Sequence, residues 1–240
     1  MITDVDAIRR FTEYSNRFQK LADSIKDPMD LFSEAEKSVV REEYCSGSDM
    51  FLGYYCPSLI LDIVVGNVHR GRLLKRVTKR SKPTHRYGFD KDNHLRTVVE
   101  ISDEDCKNID TRAVLLYEDH LITIIHIHHF EDITEIDVLA ECLYDSHNKM
   151  NQYTVGLMYH NRCNDINQEI YNYSNQGLDT VTMWKCDYLL SGKQKTYVPQ
   201  IDTYRFQHDE EGVIAAYETV GNDFWEGTIF EVPEKKRRKL

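Results

Sequence analysis

The sequence lacks the short motifs that mark the common classes of enzyme active site. It contains no P-loop, no G-x-G-x-x-G dinucleotide loop, no H-E-x-x-H zinc motif and no G-x-S-x-G nucleophile turn. Its six cysteines are scattered without a C-x-x-C pair, so we expect reduced thiols rather than a disulfide framework. These absences favour a binding protein without a cofactor, although catalytic residues can also come together from distant positions.

Long apolar runs are also missing. The most apolar segment, from Leu59 to Val65, is interrupted by Asp62 and is far shorter than the ~20 residues that a helix needs to cross a bilayer. The first residues include Asp4 and Asp6, where a secretory signal would carry positive charge. We therefore expect a cytoplasmic protein that does not bind membranes.

Acidic residues predominate, with 40 Asp and Glu against 30 Lys and Arg and a formal net charge of −10. The basic residues are clustered: eight lie between residues 70 and 86, where no acid occurs, and five form the run 235–239. Those 13 leave 17 basic residues to face all 40 acids in the rest of the chain. Such an acidic body favours a basic partner over DNA, and it also keeps a protein soluble.

Two helices are predicted at the N-terminus. Apolar residues recur mostly at steps of three and four from Val5 to Ile25. Asp27-Pro28 begins a second helix with an apolar side, which ends at Ser46-Gly47-Ser48. We expect residues 1–47 to form a helical lead-in that packs on the rest of the protein.

From residue 58 the pattern changes to short β-like runs that are separated by turn sequences such as Asp90-Lys91-Asp92-Asn93. Thirteen strands are predicted, near residues 58–65, 71–78, 84–89, 94–101, 111–117, 121–130, 136–144, 150–160, 166–173, 178–190, 200–206, 213–220 and 226–232. So many strands exceed what a flat open sheet usually carries. The sequence therefore predicts a mainly β protein with N-terminal helices (α+β). A long antiparallel hairpin meander over residues 48–232 forms a strongly curled sheet, a sandwich or a barrel, and residues 233–240 form a basic disordered tail.

An aromatic residue precedes roughly every second predicted turn. These residues are separated by 28, 27, 29 and 33 positions, which is about the length of two strands and two turns. They are Phe89, Tyr117, Tyr144, Tyr173 and Phe206. The period supports a meander of repeated hairpins.

The segment from Tyr87 to Leu95, Tyr-Gly-Phe-Asp-Lys-Asp-Asn-His-Leu, resembles the tyrosine-aspartate hairpin repeats of Rhs/YD proteins. Tyr144-Asp145 keeps the same pair of residues but not the rest of the pattern. In that family such repeats build sheet shells around polymorphic toxins, and a compact acidic chain of this size looks like the immunity protein that accompanies such a toxin. The resemblance implies a non-enzymatic inhibitor that neutralises a basic toxin domain by occluding its surface.

The turns predict where such a partner binds. Alternate turns of a meander lie at the same end of the sheet, so the turns at 102–110 and 131–135 are expected to be neighbours. Seven carboxylates on adjacent loops repel one another, and a basic ligand would relieve that cost, although ordinary acidic turns have the same composition. The predicted partner-binding residues are Asp103, Glu104, Asp105, Asp110, Glu131, Asp132 and Glu135.

A histidine-rich strand provides an alternative function. His126 and His128 share one strand face with Ile124, and two histidines with a carboxylate from a neighbouring strand could bind a metal ion. The alternative is therefore a metal-dependent hydrolase that uses His126 and His128. The competing interpretation is that both histidines lie in a half-buried sheet face and pair across strands.

The basic stretch 70–86 gives a second alternative, a nucleic-acid binder. Lys and Arg also keep a sheet edge soluble and unpaired, and the stretch lacks the interleaved aromatic residues of a single-strand binder. The sheet-edge interpretation is therefore favoured, and a nucleic-acid partner is not expected.

Overall fold

The computed structural model describes residues 4–65, 68–78, 80–101, 109–159, 162–191, 194–221, 225 and 227–237. Within these residues, three helices and thirteen strands occur. The helices are α1 (Asp4–Ser24), α2 (Pro28–Glu36) and α3 (Leu59–Ile63). The strands are β1 (Arg41–Ser46), β2 (Arg72–Leu73), β3 (His85–Phe89), β4 (Leu95–Glu100), β5 (Ile109–Glu118), β6 (Leu121–Phe130), β7 (Ile133–Tyr144), β8 (Met150–Tyr159), β9 (Arg162–Ser174), β10 (Gly177–Ser191), β11 (Gln194–His208), β12 (Ile214–Val220) and β13 (Ile229–Glu231).

All the strands belong to one antiparallel sheet. From β3 to β13 each strand pairs with the next one along the chain, and β1 lies between β3 and the edge strand β2. The prediction of a mainly β protein with N-terminal helices and a long hairpin meander is confirmed. After the other edge strand, β13, the chain reaches the loop before β2, where the Lys236 Nζ donates to the carbonyls of Val65 and Val68, both at 3.1 Å. The sheet therefore curls until its edges approach, and within the described residues no strand pair joins β2 to β13.

The outer face of the sheet is covered by α1 and α2. Phe11 and Phe18 of α1 and Phe32 of α2 are buried in one apolar cluster with residues from β5 to β10. A Cβ at position 156 would collide with the Phe18 ring, so Gly156 on β8 allows α1 to approach the sheet closely. The Asp27 side chain accepts from the Met29 and Asp30 amides and caps α2, as the Asp-Pro pair predicts.

The inner face of the sheet wraps around residues 50–64, which include α3. Leu52 and Ile60 from this segment are buried among inner-face residues that extend from β1 to β12. The Ser58 side chain caps α3, and the buried carboxylate of Glu169 on β9 accepts from the Ser58 hydroxyl and from the amides of Leu59 (3.2 Å) and Ile60 (3.3 Å). Burial raises the pKa of Glu169.

Three parts of the structure differ from the predicted elements. Residues 41–46 form β1 instead of continuing the second helix, so the sheet begins inside the predicted helical lead-in. Residues 59–63 form α3 instead of a strand, because the Ser58 and Glu169 side chains satisfy the amides of its first turn. Residues Glu234–Lys236 form a 3₁₀ turn with a buried Lys236, which differs from the predicted disordered tail.

Two further observations concern the cysteines and the helices. The cysteines in the described ranges are free and buried, as expected of reduced thiols. None of the described helices is long and apolar enough to cross a membrane.

Candidate binding surface at the polar end of the sheet

The inner face has two chemically different ends. The aromatic residues of the predicted repeat lie at the ends of alternate strands, β3, β5, β7, β9 and β11, and all belong to or pack against the inner-face cluster. We call this set the aromatic row: Phe89, Tyr117, Tyr144, Tyr173 and Phe206. The aromatic residues therefore recur every 27 to 33 positions because each pair of strands returns the chain to the same end of the sheet.

The opposite end of the same face carries a polar row. Strand pairing places His85 opposite Glu100, Glu100 opposite Thr111, Thr111 opposite His128 and His128 opposite Glu135. Residues that are directly opposite each other in an antiparallel sheet point to the same face. The polar row therefore crosses β3 to β7 on the inner face, in the order His, Glu, Thr, His, Glu.

His126 lies next to the polar row on the same face of β6, two residues before His128, and its side chain is hydrogen-bonded to an aspartate. Its Nδ1–H donates to Asp137 Oδ1 at 2.6 Å, and its side chain is only 14% exposed. The register of β6 and β7 shifts between His126 and Ile127, which makes Asp137 the extra residue of a β-bulge. The bulge turns the Asp137 carboxylate toward the His126 ring, and the ring is fixed further by Phe51, whose centroid is 5.0 Å away.

His126 and part of the polar row line a small cavity of about 180 Å³. Its wall is completed by Ser48 and Asp49 from the segment that the sheet wraps around, and by His85, Glu100 and Thr111. Burial, with a smaller contribution from the nearby His126, lowers the pKa of His85 to about 4. At neutral pH His85 is therefore uncharged, and it can accept as well as donate a hydrogen bond.

Exposed apolar side chains surround the turn between β6 and β7. Phe130 is 40% exposed and its cross-strand partner Ile133 is 62% exposed. On the adjacent strand β8, Leu157 and Tyr159 are also exposed, and Tyr159 lies nearer to the same end of the sheet. Large apolar side chains that are exposed together, beside charged residues, are typical of a protein-binding surface.

Carboxylates flank this apolar group. Glu131 and Asp132 form the exposed turn, Glu135 follows on β7, and Glu100 ends β4. None of the four forms an ion pair with a described Lys or Arg. We call the apolar residues and these carboxylates together the polar-end surface: Glu100, Phe130, Glu131, Asp132, Ile133, Glu135, Leu157 and Tyr159.

The structure places only part of the predicted partner-binding set. Asp103, Glu104 and Asp105 lie outside the described residues, and so does the side chain of Asp110. Ile109, where β5 begins, pairs with Phe130, so the loop before β5 starts and ends at the same end of the sheet as the Glu131-Asp132 turn. Residues 102–108 themselves lie outside the described residues, and the binding role of the carboxylates in both turns stays a prediction.

The two histidines of the predicted metal site share a face, but the described residues provide no third ligand for them. His126 and His128 both point to the inner face, as the strand alternation predicts. The Nδ1 atom of His126 is occupied by Asp137. In the part of the chain that the structure describes, no group of three or more His, Cys, Asp or Glu side chains is arranged to hold a metal ion.

Sequence reasoning missed several members of this site, among them His85, Glu100 and Asp137. The predicted strands 84–89 and 94–101 contain His85 and Glu100, but the predicted turns do not align these residues with Thr111. In the structure the register shifts between Gly88 and Phe89, and this shift brings His85 opposite Glu100. Alternation along β7 from the inner-face residue Cys142 places Asp137 on the outer face, and only the bulge turns its side chain inward.

The comparisons with known proteins give no family for this chain. No protein-family model matches it, and it has no significant match among curated proteins.

Proposed function

We propose that this chain is a non-enzymatic binding protein whose polar-end surface occludes a basic surface of another protein, in the manner of an immunity-type inhibitor of a toxin domain. The observation that carries this proposal is the juxtaposition of exposed apolar residues, Phe130 and Ile133, with carboxylates that have no basic partner among the described residues. In protein interfaces, apolar and aromatic residues supply most of the affinity, and charged residues at the rim select the partner and speed its approach.

The electrostatics of the surface specify the partner's charge. Glu131 and Asp132 are adjacent, and strand pairing places Glu135 close to them. Like charges at this spacing repel one another, and Lys or Arg side chains from a partner relieve the repulsion. The net charge of −10 adds long-range attraction for a basic protein.

The polar row supports a role in binding rather than in folding alone. Its two carboxylates, Glu100 and Glu135, have no basic partner among the described residues, in contrast to the inner-face carboxylate of Glu169, which anchors α3. A partner's basic side chain could enter the 180 Å³ cavity and meet Glu100 and Asp49 there. Interface hot spots concentrate in pockets that a side chain of the partner fills.

The test pairs two charge reversals of equal size at opposite ends of the sheet. Glu131→Lys/Asp132→Lys reverses the turn of the polar-end surface, and Glu210→Lys/Glu211→Lys reverses an exposed turn at the aromatic end. The probe is the protein domain encoded directly upstream of this chain, and binding is measured by calorimetry together with growth protection on co-expression. We expect the first variant to lose about tenfold to hundredfold in affinity and the second to keep wild-type affinity.

Two results would contradict the proposal. One is wild-type affinity and protection in the Glu131→Lys/Asp132→Lys variant. The other is equal loss in both variants, which would mean that net charge rather than this surface binds the partner. A further variant, Ile133→Ser, measures the contribution of an apolar side chain to the binding affinity, because it leaves every charge in place.

A further inference from the structure

The two basic stretches of the sequence meet in the folded protein. Residues 69–72, before and within the edge strand β2, and residues 235–237, after β13, line one cleft of about 1000 Å³. Ligand pockets typically enclose 300–1000 Å³, so the cleft has room for a small molecule of considerable size. The curl of the sheet creates this cleft, because it brings together two segments that are more than 160 residues apart in the sequence.

Two of the lining cations hold the walls in place. The Arg70 Nε lies 2.8 Å from Asp62 Oδ2, and its guanidinium also donates to the carbonyls of Tyr54 and Ser58, each at 3.1 Å. Lys236 is buried and donates to the carbonyls of the loop before β2. These contacts fix the walls, and they make Arg70 and Lys236 structural residues.

Four other basic residues of the cleft remain for a ligand. They are His69, Arg72, Lys235 and Arg237, and all are exposed. None of their side chains forms an ion pair with a described carboxylate, and the one acidic residue among the described lining residues, Asp62, is engaged by Arg70. The Arg237 Nε donates to the Val232 carbonyl at 2.9 Å. Unneutralised cations gathered in a cleft repel one another and form a preferred site for an anion with several charges.

An aromatic residue also lines the cleft. Tyr54 lines the same cleft, is 37% exposed, and is held edge-on against Tyr55 with ring centroids 5.3 Å apart. The loops come close at Gly71, whose φ of +73° favours glycine and where a Cβ would collide with the Ser46 carbonyl. A flat ring next to a cluster of cations is the combination that binds a base and its phosphates.

We propose that this cleft binds a nucleoside polyphosphate, with its phosphates on Arg72, Lys235 and Arg237 and its base on Tyr54. Arg and Lys are the usual phosphate ligands, and the guanidinium group can bind two phosphate oxygens at once. A compact ligand fits the charge distribution better than an extended nucleic acid does, since the strongly acidic remainder of the chain repels a long polyanion.

The first experiment uses the wild-type protein. It is titrated calorimetrically with ATP in metal-free buffer, with inorganic tripolyphosphate, and with a short oligothymidylate. We expect ATP to bind with 1:1 stoichiometry and a dissociation constant below about 1 mM, and tripolyphosphate to compete for the same site. The affinity should fall as salt concentration rises, because the main contacts are ionic.

The second experiment uses matched variants. Arg72→Glu/Lys235→Glu changes two exposed residues of the cleft that do not hold its walls, and Lys75→Glu/Arg76→Glu makes the same change of charge on exposed residues outside it. We expect the first variant to lose at least about tenfold in ATP affinity and the second to stay within about twofold of wild type. Tyr54→Leu should weaken ATP binding while leaving tripolyphosphate binding unchanged.

Three outcomes overturn the proposal: no ATP binding at millimolar concentration, equal loss of affinity in the two charge variants, or binding of the oligothymidylate without ATP. Circular dichroism and thermal melting of each variant show whether it is folded, and the wild-type competition between ATP and tripolyphosphate does not depend on any variant.

Discussion

The two ends of the inner face share strands β3 to β7, yet their side chains differ in chemistry. At the aromatic row the rings pack into the core, and two of the three hydroxyl groups are paired: the Tyr117 hydroxyl donates to the Leu95 carbonyl (3.1 Å) and the Tyr173 hydroxyl to the Met150 carbonyl (2.9 Å). At the polar row the carboxylates lack basic partners among the described residues. The difference indicates that one end stabilises the sheet, while the other is left chemically incomplete and suits a partner.

The largest expected difference between the ends is in stability. Phe206→Ala removes a buried ring of the aromatic row and should lower the free energy of unfolding by about 3–5 kcal/mol. His128→Ala, in the half-buried polar row, should lower it by less than about 1 kcal/mol. Urea unfolding of both variants measures this, and equal losses at the two ends would contradict the division of roles.

The second expected difference depends on pH. The pKa of His85 is about 4 in the folded protein, below its ordinary value of 6.5, so the unfolded chain takes up the proton first as pH falls. The stability that neutral His85 contributes is therefore present above pH 6.5 and lost between pH 6.5 and 4, by on the order of 2–3 kcal/mol.

The measurement for His85 is urea unfolding at several pH values. His85→Gln should remove most of this loss, because glutamine does not titrate. An imidazole titration of His85 by NMR with a midpoint near 6.5 would show that burial does not control its charge. The polar end would then be more open to solvent than its cavity suggests.

The smallest expected effect concerns the turns. Turns at the aromatic end place Asn93 and Asn148 at positive φ, where asparagine is well tolerated, whereas the polar end places Glu131 there with a φ of 54°. Glu131→Asn should raise the free energy of unfolding by up to about 1 kcal/mol and weaken partner binding, because a carboxylate is lost. Thermal melting together with the binding assay tests both; a stabilised variant with unchanged affinity would mean that Glu131 does not contact the partner.

Much of the fold could be predicted because its contacts are local. The turn signals and β-alternation place β6 at residues 121–130, and most other strands from β3 to β13 within a few residues of their bounds. Hairpins between adjacent strands need little information from elsewhere in the chain. For the same reason the shared face of His126 and His128 followed from alternation alone.

The wrong predictions fall on segments whose secondary structure depends on residues far away in the sequence. Residues 41–46 read as helix because Glu42 and Glu43 are good helix formers, but they pair with β3, about 40 residues away. Residues 59–63 read as a strand because a short apolar run does not distinguish a strand from a buried helix. The Asp137 bulge and the basic cleft likewise depend on tertiary contacts that composition does not reveal.

The contacts between Glu169 and the start of α3 also have a consequence for the order in which parts of the protein fold. Glu169 follows the Ser58, Leu59 and Ile60 groups that it binds by 109 to 111 residues, whereas most strands need only their immediate neighbours. Closing so long a loop costs conformational entropy before the contacts that offset this cost have formed. We therefore expect the hairpins to form first and α3 to pack against the inner face late. A substitution at Glu169 should then speed unfolding while hardly slowing refolding, because its contacts form after the rate-limiting step.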